Sequence, residues 1–121
     1  LYPKGSRLWD TLVLEATSDG IVDAAILMVY EDRVRPADKQ FQGWVDGQWA
    51  KIDRALDTLN ARWVSHLQGH LDMGQVAVAC ALGYLDFRHD ARNWRKDRDA
   101  LAAWYAEFAE RDSMKATVPP G

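Results

Sequence analysis

The chain has 121 residues, 48% of them hydrophobic and 27% charged, which is the make-up of one globular domain and excludes a disordered segment. Its net charge of −3 and pI near 5.5 argue against nucleic acid as a partner. No apolar run approaches the roughly 20 residues of a membrane span, nothing resembles a signal peptide, and the one cysteine, Cys80, cannot form an internal disulfide, all of which fits a cytoplasmic protein with no membrane partner.

Leu1 to Gly5 reads as a linker, and Ser6 can cap the helix that follows. From Arg7 to about Arg33, Leu8, Leu12, Ala16, Leu27 and Tyr30 form one apolar row at helical spacing. Val22, Ala25, Ile26 and Val29 form a second, and both rows are expected in the core. Trp9, Val13, Ile21, Ala24 and Met28 fall between them, more apolar positions than one buried stripe needs, so they are expected at an interface between two copies of the chain. Gly20 sits inside this helix at a cost of about 1 kcal/mol relative to Ala, and marks a kink or a close approach to another backbone. Arg35-Pro36 ends the element. Asp38 is the expected cap of a second helix running to about His66, with Phe41, Trp44, Val45, Trp49, Ile52, Leu56, Leu59 and Trp63 as its apolar stripe. Trp9 and Trp44 alternatively face something outside this chain.

Leu71 to Arg88, LDMGQVAVACALGYLDFR, is the stretch around which the rest is organised. Asp72 and Gln75 form a capping box: the Asp72 carboxylate accepts from the Gln75 N–H, and the Gln75 side chain reaches back to the Asp72 N–H. Loss of this cap in Asp72→Ala is expected to cost about 1 kcal/mol. From Val76 to Leu85 the only polar side chain is Tyr84, so the helix is expected to be inaccessible all round, with Cys80 an inert core thiol. A buried strand over Val76–Ala79 is the rival reading. Arg88 to Lys96 is a charged loop anchored by Trp94. Asp97 or Asp99 caps a last long helix with Leu101, Trp104, Tyr105 and Phe108 inside, and a tail anchored by Met114 leaves the fold at Val118. The expectation is an all-α bundle of four long helices plus short pieces around one central buried helix.

Little in the pattern carries chemistry. Asp19 and Asp23, at i and i+4, share a helix face and read from spacing alone as a solvated acidic patch. His66 and His70 have the same spacing but no third ligand near in sequence, so no metal is expected. His89 has no neighbouring nucleophile, no serine lies in a nucleophile motif, and there is no glycine-rich phosphate loop. No catalytic residue is expected in this chain.

The capped apolar helix, the GYLDFR segment with its following Trp, and ALAAWYAEFAERDSMKAT resemble the C-terminal, all-helical domain of bacterial glutathione S-transferases. VLEATSDGIVDAAILMVYEDR and RPADKQFQGWVDGQWAKIDRALDTL extend the resemblance over nearly the whole chain, residues 1–121. The family usually opens its buried helix with Ser or Thr and Asp, where this chain has Asp72 and Gln75. The resemblance implies that an acidic residue on the first helix, Asp19 first and Asp23 second, receives the amino group of glutathione held by the partner subunit of a homodimer. It places Leu27 and Tyr30 in the hydrophobic substrate pocket. It also implies that the thiol-activating residue lies in an N-terminal thioredoxin-like domain absent from this chain, for which glutathione is the co-substrate. The chain begins with Leu, at the point where the family passes between its domains, and is expected to be processed or cut from something longer. On that reading the full-length protein conjugates glutathione to electrophiles while this chain alone is inactive. The alternative is a stand-alone, non-catalytic protein-interaction module of the same fold.

Overall fold

Helix α1 (Arg7–Arg33) is the backbone of the domain, and the computed structural model describes it together with every other residue from 1 to 121. Its buried stripe runs through Thr11, Leu14, Ser18, Ile21, Ala25 and Met28, alternating steps of three and four. That stripe packs along α4 (Met73–Arg88). Small or hydroxylated residues let the two helices approach: the Ser18 hydroxyl turns back onto the Leu14 carbonyl at 2.8 Å, and a Cβ on Gly74 would stand 3.0 Å from the Cβ of Leu14. The expected rows on α1 are therefore turned. Ile21, Ala24 and Met28, assigned to an interface, are core; Ala16, Leu27 and Tyr30, assigned to the core, are exposed. Contact with α4 and α2 selects the inner face, and a helix with more apolar positions than one stripe needs does not specify it beforehand.

Helix α2 (Gln42–Thr58) runs through a π-helical turn (Leu59–Trp63) into the short α3 (Val64–Leu67), so the expected single rod is present but irregular. It starts later than expected. Asp38 belongs to a 3-10 turn, Ala37–Lys39, and Phe41 takes the N-cap position without side-chain capping. Ser6 likewise has helical dihedrals and caps nothing with its hydroxyl. Trp49, Ile52, Leu56 and Leu59 are buried as expected, whereas Phe41 and Trp44 are exposed.

The α4 N-terminus confirms half of the capping box. Asp72 has extended dihedrals and its carboxylate accepts from the Gln75 N–H at 3.1 Å. Gln75 does not reciprocate: its amide N–H₂ donates to the carbonyls of His70 at 2.6 Å and Gly69 at 3.2 Å, tying the α3–α4 connection instead. No strand occurs. The helix is not inaccessible all round, because Cys80 is exposed and Val76, Ala77, Gly83 and Tyr84 are only partly covered. Its covered side, Val78, Ala79, Ala81, Leu82 and Leu85, faces the other helices of this chain, and the remaining apolar strip is left partly open beside α5 and the C-terminal residues.

Beyond α4, Trp94 is 1% exposed and its Nε1–H donates to Asp86 at 2.8 Å, while Arg95 grips both oxygens of the same carboxylate at 2.6 and 2.8 Å. Asp97 has φ 62° and so cannot serve as a helix cap. Helix α5 (Asp99–Phe108) is capped from a distance: Asn60, in the π-helical turn, accepts from the Leu101 N–H at 3.0 Å. Buried Arg98 locks this end to α2 through Asp53 and Asp57 at 3.0 and 2.9 Å. A five-residue α6 (Asp112–Ala116) closes the chain. No helix is long and apolar enough to cross a membrane.

Candidate functional site

The face of α1 opposite its buried stripe is open from end to end. Trp9, Val13, Ala16, Gly20, Asp23, Leu27, Tyr30 and Val34 recur in steps of four and three, and every one is exposed. Asp19 flanks this stripe, also exposed. Asp19 and Asp23 are both presented to solvent. Sequence reasoning missed that the acidic row has a third member. Glu15 lies one turn before Asp19, and the Tyr2 hydroxyl donates to its carboxylate. That hydrogen bond, with the nearby charge of Asp19, holds the Tyr2 phenol above its ordinary range. The i, i+4 spacing from Glu15 to Asp19 was the available signal.

Leu27 and Tyr30 are brought together. With Val34 and Trp44 they form the apolar wall of an open cavity of about 480 Å³, whose polar side is Glu31 and Arg35. The α1–α2 connection beside the cavity is cross-braced by polar contacts. The buried Glu31 carboxylate takes the Arg35 guanidinium at 2.8 Å and the Phe41 N–H at 3.2 Å. Gln40 donates to the Asp32 and Arg35 carbonyls, both at 3.0 Å, closing the C-terminal end of α1. Phe41 folds back over the first turn of α2, where a Cβ on Gly43 would meet its ring at 2.8 Å. Neither Asp19 nor Asp23 lines this cavity.

The open strip of α4 forms a second, larger concavity of about 500 Å³. Cys80, Tyr84 and Phe87 face Tyr105 and Met114 across it, with Val118 at one end. The Tyr105 phenol is held above its ordinary 10.0, chiefly by burial and further by the Asp86 carboxylate. Cys80 is therefore a surface thiol in an apolar groove, not a core one. The histidines have structural partners: His66 Nε2 lies 3.2 Å from the Asp72 carboxylate, and His89 Nε2 donates to the Ala25 carbonyl at 2.9 Å. His70 is exposed.

The chain's relatives fit this architecture. A family profile described as the glutathione S-transferase C-terminal domain matches residues 42–107. The chain belongs to that family. The uncharacterised GST-like protein YibF of Escherichia coli K12 is 37% identical over 109 residues, covering 88% of this chain and 54% of its own length. A glutathione transferase family member from Pseudomonas fluorescens Pf-5, solved with bound glutathione and with S-(propanoic acid)-glutathione, is 49% identical over 98% of this chain, with a TM-score of 0.95. A glutathione S-transferase from Methylobacillus flagellatus KT, solved with glutathione bound, is 30% identical with a TM-score of 0.90. The chain spans about half the length of the curated relative, and 60% and 61% of the two solved ones.

Proposed function

We propose that this chain is the helical half of a glutathione transferase. A thioredoxin-like domain, outside this chain, would bind glutathione and lower its thiol pKa, since the thiolate is the nucleophile. The chain itself would lend the wall against which an electrophile is held. The observation that carries this reading is the 49% identity to a Pseudomonas protein whose helices superimpose at a TM-score of 0.95 and which was solved holding glutathione. Leu27, Tyr30 and Trp44 supply an apolar concavity of a size suited to a small molecule. The groove beside α4, walled by Cys80, Tyr84, Phe87 and Met114, would supply an apolar surface for the thioredoxin-like domain. Asp19 and Asp23 supply carboxylates for a glutathione ammonium presented by the other subunit of a homodimer working in the cytoplasm.

Kinetics separate these roles. The chain alone should leave the reaction of glutathione with a chlorodinitrobenzene at its uncatalysed rate. In the full-length protein, Asp19→Asn or Asp23→Asn should raise KM for glutathione with kcat little changed, the signature of lost uniform binding. Tyr30→Ala should raise KM for the electrophile instead. Turnover by the chain alone, abolished by one of its own substitutions, would overturn the assignment of the chemistry to another domain. Unchanged kinetics in both aspartate variants would remove the proposed glutathione contact.

A further inference from the structure

Three arginines from separate segments meet where the end of α1, the start of α2 and the end of α4 converge. Arg33 is the last residue of α1, Arg88 the last of α4, and Arg92 closes the 3-10 turn that follows. With Asp32, Gln42 and His89 they line a cleft of about 280 Å³. Outside the cleft Arg35 pairs with Glu31, Arg95 with Asp86 and buried Arg98 with Asp53 and Asp57. Here Arg33 and Arg88 form no ion pair. Arg92 comes no nearer to a carboxylate than 3.8 Å, and that carboxylate, Asp46, is 61% exposed and already accepts from Gln42 at 2.9 Å.

The cleft wall thus carries three arginines against the carboxylate of Asp32, with the solvated Asp46 carboxylate 3.8 Å from Arg92 at its edge, in a chain whose net charge is −3. Like charges gathered on a concave surface repel one another unless an anion settles among them. The wall is also fixed in place. The guanidinium carbon of Arg88 lies 3.9 Å from the centre of the Phe87 ring and that of Arg92 5.2 Å from the Trp49 ring, so both side chains rest against aromatic rings. His89 is anchored to α1 through the Ala25 carbonyl. We propose that this cleft binds the oxyanion group of a small molecule, a phosphate or a carboxylate, which guanidinium forks engage through two oxygens at once. The inference is independent of the transferase reading.

The test is a titration of the 121-residue chain with inorganic phosphate, and separately with succinate, near neutral pH and at low ionic strength. Backbone amide and arginine side-chain NMR shifts report binding, with chloride at matched ionic strength as the control. The expected result is saturable shifts centred on Arg33, Arg88 and Arg92 for at least one of the two oxyanions, with binding about tenfold weaker in Arg88→Gln. Arg33→Gln, at an exposed position, provides the same reading should Arg88→Gln fail to fold. Arg62→Gln, exposed on the π-helical turn outside the cleft, should bind like the parent. Shifts that follow chloride without saturating, or an equal loss of binding in Arg62→Gln, would overturn the proposal.

Discussion

The Asp72 carboxylate serves three donors at once: the Gln75 N–H at 3.1 Å, the Thr11 hydroxyl at 3.1 Å and His66 Nε2 at 3.2 Å. It is buried, so removing it takes away a helix cap and leaves polar partners from two other segments without their acceptor. A cap alone is worth about 1 kcal/mol, and hydrogen bonds to a charged group about 1.5 to 3 kcal/mol. Asp72→Ala should therefore cost about 2 kcal/mol or more, and Asp72→Asn, which keeps the capping oxygen, distinctly less. Urea denaturation decides this, and equal midpoints for parent and Asp72→Ala would show that the carboxylate is not the junction described. The cap was legible in the sequence because its two residues are three apart. Thr11 was not, because 61 residues separate it from Asp72 and only packing brings them together. Tyr105 gives a second expectation. Its folded-state pKa is raised, so the stability it contributes is whole below the ordinary phenol value of 10.0 and is lost as pH rises through the higher folded value. In unfolding midpoints measured above pH 9, Tyr105→Phe should decline more shallowly than the parent; an equal decline would mean that burial of this phenol is not the source.

Glycines at the element scale separate a contact made inside the chain from one that is not. A Cβ at Gly74 would stand 3.0 Å from both Cβ and Cδ1 of Leu14, which is fully buried, so the α1–α4 spacing depends on the missing methyl. Gly74→Ala should force the helices apart and cost about 1 to 3 kcal/mol. At Gly20 nothing lies within 4 Å of the same atom, and the residue is mid-helix. Gly20→Ala should stabilise the isolated chain by about 1 kcal/mol, the helix-propensity difference. Thermal or urea unfolding of the two variants should shift in opposite directions, and a shared direction would contradict the packing described. The same distinction explains what could be read beforehand. The existence of the helices followed from local spacing, and α1 has the expected bounds of Arg7–Arg33. Which side each helix buries did not follow, because α1 has more apolar positions than one stripe uses, α4 is apolar over most of its length, and the neighbours choose among them. Spacing on α1 places Leu27 and Tyr30 in the core, whereas both are exposed on the wall of an open cavity. Trp44 and Val34 complete that wall only because the α1–α2 turn folds them next to α1, a tertiary fact with no local signal.

For the molecule as a whole, the open stripe of α1 is the feature that this chain does not account for by itself. Trp9 is 69% exposed, Val13 48%, Leu27 40%, Tyr30 57% and Val34 73%, on one helix face in heptad-like register. One exposed apolar residue is ordinary; a continuous row of them marks a contact surface. Near the middle of the row stands Gly20, which costs helix stability and relieves no clash within the chain, as a helix would tolerate where a second backbone must come close. Asp23 lies one turn beyond it. In a two-fold contact centred there, two copies of Asp23 would face each other near the axis, an arrangement that favours a cation arriving between them, such as a glutathione ammonium. Sedimentation over a range of concentrations should show a dimer in reversible exchange with monomer. Gly20→Leu provides the sharper test, because a leucine there meets open space in the monomer and improves helix propensity. Its unfolding midpoint at low concentration should hold or rise while the dimer is lost. Val13→Asp should also give monomers, through a charge placed in the seam. A chain that stays monomeric up to millimolar concentration, or a Gly20→Leu variant that dimerises as well as the parent, would rule out this face as the subunit contact and, with it, the route by which Asp19 or Asp23 would reach a ligand held by the partner.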